Sequence, residues 1–289
     1  MDLQNRSVIE VCGLSHRYFA GTPLEVASLR GVNLVVSRDE SVGIIGPAGS
    51  GKSTLLSHLN GLIRPQEGDV RVFGESLSDR ETDLQEIRRK VGLLFQSPED
   101  QLFEQYAGDD VAFGPRNFIQ DRDEIRSRVR NAMEMVGLSF DFKDRLTAEL
   151  SLGEKRRLAL AGVFALEPAV LVLDEPTASL DPGGRRDLLQ VLRAWQGIQG
   201  RALVVVSHNL EDIVELADRT YVLVEGKVVC HGKTVELFSS GELLSEHGLL
   251  LPDFLEIIRL LKARGFPLTA NGFSIEAVAN EIAEVFHGS

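Results

Sequence analysis

The stretch GPAGSGKST at residues 46–54 decides the fold. It fits the pattern G-x-x-x-x-G-K-[S/T] and lies between the apolar run SVGII (41–45) and the helical run LLSHLNGL (55–62). In such a loop between a strand and a helix, successive backbone N–H groups point inward at phosphate oxygens. We therefore predict a phosphate-binding loop in an α/β domain.

The residues of this loop have distinct predicted roles. The ammonium of Lys52 supplies a mobile positive charge, and the hydroxyl of Ser53 is offered to Mg²⁺. The alternative is a glycine-rich turn without a ligand, which the motif and its flanks together disfavour. The predicted nucleotide-binding residues of the loop are Gly46, Pro47, Ala48, Gly49, Ser50, Gly51, Lys52, Ser53 and Thr54.

A second motif, AVLVLDEP at residues 169–176, ends an apolar run with two carboxylates. Ligands of open α/β sheets bind at the C-terminal edge of the strands, where these carboxylates are expected to lie. We expect Asp174 to hold Mg²⁺ through water and Glu175 to polarise the attacking water as a general base. The alternative is that one of the two is a surface acid without a role.

Gln96 and His208 each follow directly on a predicted strand, VGLLF (91–95) and ALVVVS (202–207). Both are therefore in reach of a γ-phosphate. On spacing alone, His208 is equally well a capping or solvent-exposed residue. Tyr18 is either a stacking partner for a base or plain packing beside a strand.

The order of apolar runs predicts the organisation of the chain. Strand-like runs before residue 97 and after residue 167 enclose helical patterns, as expected of βαβ units with an inserted helical subdomain. We predict a nucleotide-binding domain over residues 1–239, a helical subdomain at about 97–167 and a C-terminal helical extension over 240–289. The apolar positions that share a predicted helical face are Ile125, Val129, Met133 and Val136 in the subdomain, and Phe254, Ile257, Ile258 and Leu261 in the extension.

Composition excludes several classes of protein. A formal net charge of -12 argues against a sequence-independent grip on nucleic acid, so we expect no nucleic-acid partner. Cys12 and Cys230 show no C-x-x-C spacing, which disfavours a zinc site or a disulfide framework and favours a reducing cytosol. No apolar run reaches the length of a membrane span. We expect the chain not to cross a membrane by itself.

A second anion-binding feature begins at Ser151, where S-x-x-E is the pattern of a capping box. The other motifs along the chain indicate a second role for this helix start. A phosphate loop, a Gln after a strand, this Ser-x-Gly-Glu helix start, LVLDEP, SLDP and a His after a strand follow in that order. Together they resemble the ATP-binding cassette (ABC) family over most of residues 7–235.

The resemblance implies a P-loop NTPase fold of the ABC type, with an antiparallel β subdomain and a helical subdomain. In this family two cassettes close head to tail over two ATP molecules, so each ATP meets the helix start of the other cassette. The resemblance also implies roles for single residues. Ser151, Gly153 and Glu154 meet the partner's ATP, Asp181 lies at the dimer seam, Tyr18 stacks on adenine, Gln96 and His208 sense the γ-phosphate, and Gln96 joins Ser53 and Asp174 around Mg²⁺.

Three positions depart from the usual pattern of the family. Its helix start is Ser-Gly-Gly-Gln, whereas this chain has Leu152 for the first Gly and Glu154 for the Gln. Ala48 stands in the phosphate loop where Asn is common. Glu154 adds a negative charge near a phosphate, so we expect these departures to tune closure or turnover.

Two further stretches point to one group within the family. FQSPEDQLFEQYAGDDVAFGPRN (95–117) and the tail LLPDFLEIIRLLKARGFPL (250–268) are similar to those of ATPases in energy-coupling factor transporters, which import cobalt, nickel and vitamins. The similarity implies an ATP-hydrolysing subunit on the cytoplasmic face of the cell membrane. The implied partners are a second ABC ATPase, copy or paralogue, a transmembrane coupling subunit and a substrate-binding membrane subunit.

A group of five acids within residues 95–117 is the predicted docking surface for a basic helix end of a membrane protein. Its alternative is an ordinary solvated acidic face. An ATPase of another ABC transporter class, or an ABC ATPase not linked to transport, also stays open, although the long coiled coils of DNA-repair cassettes are missing. The acids of this cluster are Glu99, Asp100, Glu104, Asp109 and Asp110.

Overall fold

The computed structural model describes residues 7–178, 180–240, 249, 253–266 and 279–284. Its strands in chain order are β1 (Ser7–Tyr18), β2 (Val26–Ser37), β3 (Ser41–Ile45), β4 (Glu67–Val72), β5 (Glu75–Ser76), β6 (Val91–Leu94), β7 (Val170–Asp174), β8 (Ala202–Val206), β9 (Arg219–Val224) and β10 (Lys227–Lys233). Its helices are α1 (Lys52–Leu59), α2 (Leu84–Lys90), α3 (Ala107–Arg116), α4 (Arg122–Met135), α5 (Leu152–Phe164), α6 (Pro182–Gln196), α7 (Leu210–Leu216), α8 (Thr234–Ser240) and α9 (Asp253–Ala263).

The larger of the two sheets in the described chain has the strand order β10-β9-β3-β8-β7-β6. Strand β3 pairs in parallel with β8 and β9, and β7 pairs in parallel with β8 and β6. Every residue of β3, β7 and β8 is buried, which explains why these runs are apolar throughout. The predicted α/β class is confirmed, and the parallel pairing brings the ends of β6, β3, β7 and β8 to one edge.

The smaller sheet is antiparallel, with the order β2-β1-β4-β5. Its inner side chains share one hydrophobic core with α1 and one face of the larger sheet. Val8, Leu34 and Val70 come from the smaller sheet, whereas Leu55 comes from α1 and Val204 from β8. This packing places β2 beside the beginning of α1, where the phosphate loop lies.

The chain between β6 and β7 is helical, with α3, α4, α5 and the 3-10 segments Pro98–Gln101, Phe140–Asp144 and Thr147–Glu149. The predicted inward face of α4 is confirmed. Val129, Met133 and Val136 are buried, and Ile125 packs against the same core. These helices pack on the opposite face of the larger sheet from α1, together with α6 and α7.

Helix α9 follows the predicted apolar pattern with one correction. Phe254 and Ile258 are buried, and Leu261 packs against the core, as predicted. The prediction for Ile257 was wrong, because it is 48% exposed whereas Leu255 is 6% exposed. The buried stripe of the helix is therefore rotated toward Leu255. Residues 267–278 and 285–289 of the predicted C-terminal extension lie outside the described residues.

Among the helices that the structure describes, none combines the length and the apolar character that a membrane crossing needs.

Candidate nucleotide site

The phosphate loop connects the end of β3 to the start of α1, and its backbone lies tightly against two neighbouring strands. Gly51 has φ 101°, and a Cβ atom there would lie 2.4 Å from the carbonyl oxygen of Ser28 in β2. At Gly46 a Cβ atom would lie 2.0 Å from the carbonyl oxygen of Leu223 in β9. Both positions therefore exclude any residue with a side chain, which gives the glycines of the motif a steric reason.

Lys52 is the first residue of α1 and its side chain crosses the loop. Its Nζ donates hydrogen bonds to the carbonyl oxygens of Gly46 and Pro47, each at 2.8 Å. Burial lowers the pKa of Lys52, while the carboxylates of Glu175 and then Asp174 oppose that change. The ammonium thus lies between the loop and two acids, where an anionic phosphate would add a further favourable charge.

One cavity of about 270 Å³ collects side chains from the loop and from the ends of β6, β7 and β8. It contains six of the nine predicted loop residues together with four predicted catalytic or metal-site residues, although these come from widely separated parts of the chain. Gly46, Pro47 and Ser50 do not line it. The residues that line it are Ser28, Ala48, Gly49, Gly51, Lys52, Ser53, Thr54, Gln96, Asp174, Glu175 and His208.

Glu175 has a backbone conformation that side chains rarely adopt. Its φ is 52°, in the left-handed region, directly after the last residue of β7. Two backbone hydrogen bonds hold it there: its N–H donates to Val206 O at 2.9 Å, and its carbonyl oxygen accepts from Ala178 N at 3.1 Å. Strained conformations of this kind concentrate at functional sites, where the surrounding structure enforces them.

The carboxylate of Glu175 is buried at 7% exposure and faces the loop after β8. Its Oε2 accepts a hydrogen bond from His208 N at 3.1 Å, and its Oε1 lies 3.4 Å from His208 Nε2. Burial raises the pKa of Glu175, and the contacts with His208 counteract only part of this effect. A carboxylate with a raised pKa is a stronger base than an exposed one.

The cavity also suits a divalent cation that prefers oxygen. Ser53, Gln96 and Asp174 line it with a hydroxyl, an amide and a carboxylate, and Asp174 is 6% exposed. Oxygen ligands of this kind are those that Mg²⁺ takes in proteins. In the described part of the chain, the buried oxygens Ser50 Oγ and Glu175 Oε1 have no hydrogen-bond partner. The residues present therefore fit a magnesium–phosphate group.

Tyr18 lies beside the loop but does not line the cavity. Its hydroxyl is 3.1 Å from Thr54 Oγ1, and the same Oγ1 accepts a hydrogen bond from Ser28 Oγ at 2.8 Å. The Tyr18 ring is 38% exposed. Sequence reasoning missed Ser28, because nothing distinguishes it from other polar residues of a half-exposed strand.

A buried acid that the sequence did not reveal supports the loops that follow β7 and β8. Asp212 in α7 is fully buried, accepts a hydrogen bond from the hydroxyl of Thr177 and lies 2.6 Å from Arg185 Nε. It also accepts from Ser207 Oγ at 3.3 Å. Asp212 thereby ties the turn after Glu175 to the residue before His208.

The second predicted anion-binding feature begins α5, and its capping box is confirmed. Ser151 N and Ser151 Oγ both donate to Glu154 Oε2 at 2.7 Å, and Glu154 N donates to Ser151 Oγ at 3.3 Å. Arg145 Nη1 lies 3.3 Å from Glu154 Oε1. The hydrogen bonds from Ser151 hold the pKa of Glu154 below its usual value.

The structure does not bring this helix start into the cavity of the phosphate loop. Ser151, Gly153 and Glu154 are absent from the cavity lining, and so is Asp181. Asp181 instead caps α6 and accepts from the N–H groups of Gly183 and Gly184 at 3.3 Å each. Within one chain, the two anion-binding features are therefore separate.

The predicted acidic docking cluster requires a correction, because three of its five carboxylates have internal partners. Glu99 pairs with Arg156 at 3.2 Å and Asp109 pairs with Arg116 at 2.6 Å. Asp110 Oδ2 accepts from the backbone of residues 103 and 104 at 2.9 and 2.8 Å. Arginines and backbone amides satisfy these three acids, so the five carboxylates do not form a free acidic face.

The remaining two acids of that cluster, Asp100 and Glu104, form no ion pair with the residues that the structure describes. A groove of about 300 Å³ lies nearby, between α3, α5 and the end of β6. Its lining includes Leu62 and Phe113, whose exposed fractions are 51% and 45%, and Phe103 stacks edge-on against Phe113. The groove presents apolar surface to solvent, and its charged lining residues are Arg88 and Asp110. Asp100 and Glu104 do not line it but flank the lining residues Gln101 and Leu102 in the sequence.

The ABC transporter family matches residues 29–178. The chain belongs to the ABC transporter family. As an ABC ATPase it binds and hydrolyses ATP to power transport, and the predicted P-loop fold of the ABC type is confirmed.

Relatives with high sequence identity show which group of ABC ATPases this chain resembles. The energy-coupling factor transporter ATP-binding protein EcfA2 of Clostridium perfringens is 42% identical over 97% of this chain and 99% of its own length. The protein of the same name from Symbiobacterium thermophilum is 45% identical over 95% of each chain. The predicted resemblance to ATPases of energy-coupling factor transporters is confirmed.

Two solved structures have the same architecture as this ABC ATPase. One is cbiO1 of Clostridium perfringens, described as part of the ABC transporter complex cbiONQ, with 34% identity, a TM-score of 0.73, and coverage of 88% of this chain and 99% of that one. The other is a dimeric ATP-binding cassette in a post-hydrolysis state with ADP and Pi, with 28% identity, a TM-score of 0.71, and coverage of 78% and 98%.

Proposed function

We propose that this ABC ATPase is one of two ATPase subunits that drive import of a metal ion or vitamin through an energy-coupling factor transporter. The observation that carries the hydrolytic part of the proposal is the position of Glu175, and the transport part is supported by the similarity to energy-coupling factor ATPases. It is held in a strained turn, with a raised pKa, in the cavity that also contains the phosphate loop and Lys52. A pure nucleotide-binding module has no need of a base in that place.

The hydrolytic step follows from these positions. The loop N–H groups and Lys52 bind the phosphates of ATP, and Ser53, Gln96 and Asp174 would hold Mg²⁺, which when bound neutralises developing charge on the phosphates. Glu175 accepts a proton from water as the water oxygen attacks the γ-phosphorus. The bond from the γ-phosphorus to the bridging oxygen breaks, and ADP and phosphate leave. His208 keeps Glu175 oriented through the hydrogen bond from its backbone N–H, and its imidazole Nε2 lies 3.4 Å from the other carboxylate oxygen.

A second ABC ATPase subunit completes each site. Ser151, Gly153 and Glu154 lie at the accessible start of α5, outside the cavity of their own chain, which supports a role toward the nucleotide of a partner. Asp181 contributes to the same seam, and Tyr18 supports the adenine beside the loop. The dimeric cassette among the structural relatives supports this arrangement. The partner is either a copy of this chain or a paralogue.

The membrane partner is a transmembrane coupling subunit that inserts an amphipathic, basic helix end into the groove beside α3. Apolar surface at Leu62 and Phe113 and the unpaired acids Asp100 and Glu104 support an occupant of that chemistry. A separate membrane subunit binds the cargo. The ATPase thereby attaches to the cytoplasmic face of the membrane as a peripheral subunit.

The test is co-expression with candidate membrane subunits, followed by reconstitution into liposomes. We expect a stable complex whose ATP-dependent uptake is lost with Lys52→Ala, because the loop then lacks its charge for the phosphates. The exposed Lys227→Ala on β10 is the matched control and retains uptake. Recovery of an active ATPase that never associates with membrane subunits would instead indicate an ABC ATPase not linked to transport.

A further inference from the structure

Arg156 joins three segments of the chain that belong to different parts of the site. It lies on α5, and its side chain is 12% exposed. Its Nε contacts Glu99 Oε2 at 3.2 Å, and its Nη1 donates a hydrogen bond to the carbonyl oxygen of Ala178 at 2.6 Å.

The first contact, with Glu99, connects Arg156 to the docking groove, the groove between α3, α5 and the end of β6 in which the membrane subunit is proposed to bind. Glu99 lies in the 3-10 segment Pro98–Gln101, which begins two residues after Gln96. Gln101, the last residue of that segment, lines the groove beside α3. Its side-chain oxygen also accepts from Phe95 N at 3.5 Å. A helix end that enters the groove therefore meets the segment that holds Glu99.

The second contact leads to the catalytic base. Ala178 N donates to the carbonyl oxygen of Glu175 at 3.1 Å, so Ala178 closes the turn that fixes the strained backbone of Glu175. Arg156 holds the other polar group of the same residue. A shift of the guanidinium group thus acts on the turn that orients the Glu175 carboxylate.

The chemistry of arginine makes these contacts interdependent. A guanidinium group is planar and always charged, and its donors are fixed relative to one another. With its side chain mostly buried, loss of either partner leaves a charged donor without compensation, which is costly. The 3-10 segment and the turn after β7 are therefore held in a fixed relation and move together with α5.

We propose that Arg156 is a positioning residue that couples occupancy of the docking groove to the orientation of Glu175. Displacement of the 3-10 segment by the membrane subunit moves Glu99, Arg156 follows its buried partner, and the Ala178 carbonyl follows Arg156. The inference rests on the proposed function, since it requires a membrane subunit in the groove. It adds a residue and a route for the coupling.

The measured quantity is the stimulation ratio, the ATPase rate in the assembled complex divided by the rate of the ATPase subunits alone. We expect Arg156→Gln and Glu99→Gln each to lower this ratio by about tenfold, the effect of one lost charged hydrogen bond. The double variant is expected to be no lower than either single one, because both remove the same link. Arg156→Lys keeps the charge without the planar fork and gives an intermediate ratio.

The control is Arg128→Gln on α4, which also removes a partly buried arginine, 22% exposed and paired with Glu124 and Glu167, but one that does not line the nucleotide cavity. It keeps the wild-type ratio. Melting temperature, ATP affinity and complex recovery are measured on each preparation. A purely structural role for Arg156 lowers both rates equally and leaves the ratio unchanged, which overturns the proposal.

Two other results are also decisive. Additive losses in the double variant show that Arg156 and Glu99 act separately and overturn the coupled route. If Arg156→Gln does not fold, the test rests on Glu99→Gln alone. An unchanged stimulation ratio in Glu99→Gln shows that the contact between Glu99 and Arg156 does not transmit the coupling and overturns the proposal. Failure of the wild-type subunits to assemble contradicts the proposed function itself. An assembled wild-type complex that drives uptake but shows no stimulation overturns only the inference.

Discussion

The backbone N–H of His208 donates a hydrogen bond to Glu175 Oε2 at 3.1 Å, and the imidazole Nε2 of the same residue lies 3.4 Å from Glu175 Oε1. The two residues follow the neighbouring parallel strands β8 and β7, so the sheet itself sets their distance. One residue thus contacts both oxygens of the carboxylate. The backbone and the side chain of His208 therefore both contact the carboxylate of the proposed base.

The raised pKa of Glu175 predicts how stability changes with pH. Since burial favours the protonated acid in the folded state, the carboxyl contributes most to stability below its ordinary value of 4.5, and this contribution is lost as pH rises through the raised pKa. We therefore expect Glu175→Gln to melt at a higher temperature than wild type at pH 8. The difference shrinks below pH 4.5. A variant that is less stable than wild type at pH 8 would show that the cavity favours the carboxylate.

His58 predicts a second pH effect, of opposite sign. It lies fully buried in α1 with its ring centre 5.0 Å from that of His16, and burial and then His16 lower the pKa of His58 to about 4. The neutral form stabilises the fold above the ordinary value of 6.5, and this stability is lost as pH falls toward 4.

We expect wild type to lose about 2 kcal/mol more unfolding free energy than His58→Phe between pH 7.5 and pH 5. Urea unfolding of both proteins at the two pH values measures this difference. His231→Phe, at an exposed position on β10, is the control and follows wild type. Equal losses for wild type and His58→Phe would contradict the buried neutral histidine.

Ser151 separates a structural role from a role at the partner's nucleotide. Loss of a cap alone costs roughly 1 kcal/mol and leaves turnover per folded molecule intact. We expect Ser151→Ala to lose turnover almost completely while ATP binding to the isolated subunit survives. Asp121→Ala removes the N-cap of α4, remote from both anion-binding features, and controls for the loss of a cap. Equal turnover in the two variants would leave Ser151 as a cap only.

The docking groove is tested by reversing the two acids that have no ion pair. We expect Asp100→Lys with Glu104→Lys to lower recovery of the complex with the membrane subunits, since like charges at an interface cost several kcal/mol. High salt weakens the wild-type complex in the same direction. The control reverses the exposed acids Asp123 and Glu134 on α4. Recovery at the wild-type level would place the docking surface elsewhere.

Much of the fold was predictable because it rests on local patterns. Burial on both faces makes β3, β7 and β8 continuously apolar, and close backbone contacts make Gly46 and Gly51 obligatory. These features leave a mark in the sequence within a few residues. The ends of parallel strands then determine which polar residues meet, which is why Gln96, Asp174, Glu175 and His208 were predicted to lie together.

The missed features depend on partners that are distant in sequence. Glu99 reads as a surface acid, and only the fold reveals that Arg156, 57 residues later, neutralises it. Asp212 shows no motif, because its partners lie on α6 and on two loops. Ile257 fits an ideal helical stripe, but the actual contact is rotated by its neighbours. Pairing and rotation of this kind are decided by tertiary packing.

The central claim is that ATP is hydrolysed between two subunits by a base on each. The most direct measurement is size-exclusion chromatography of Glu175→Gln in Mg-ATP, with the second ATPase subunit present, together with nucleotide content and hydrolysis rate. The account predicts a stable dimer that retains unhydrolysed ATP, because the amide keeps the size of the acid but accepts no proton from water. Addition of Lys52→Ala returns it to monomers. A Glu175→Gln protein that stays monomeric and hydrolyses ATP at the wild-type rate would contradict the account.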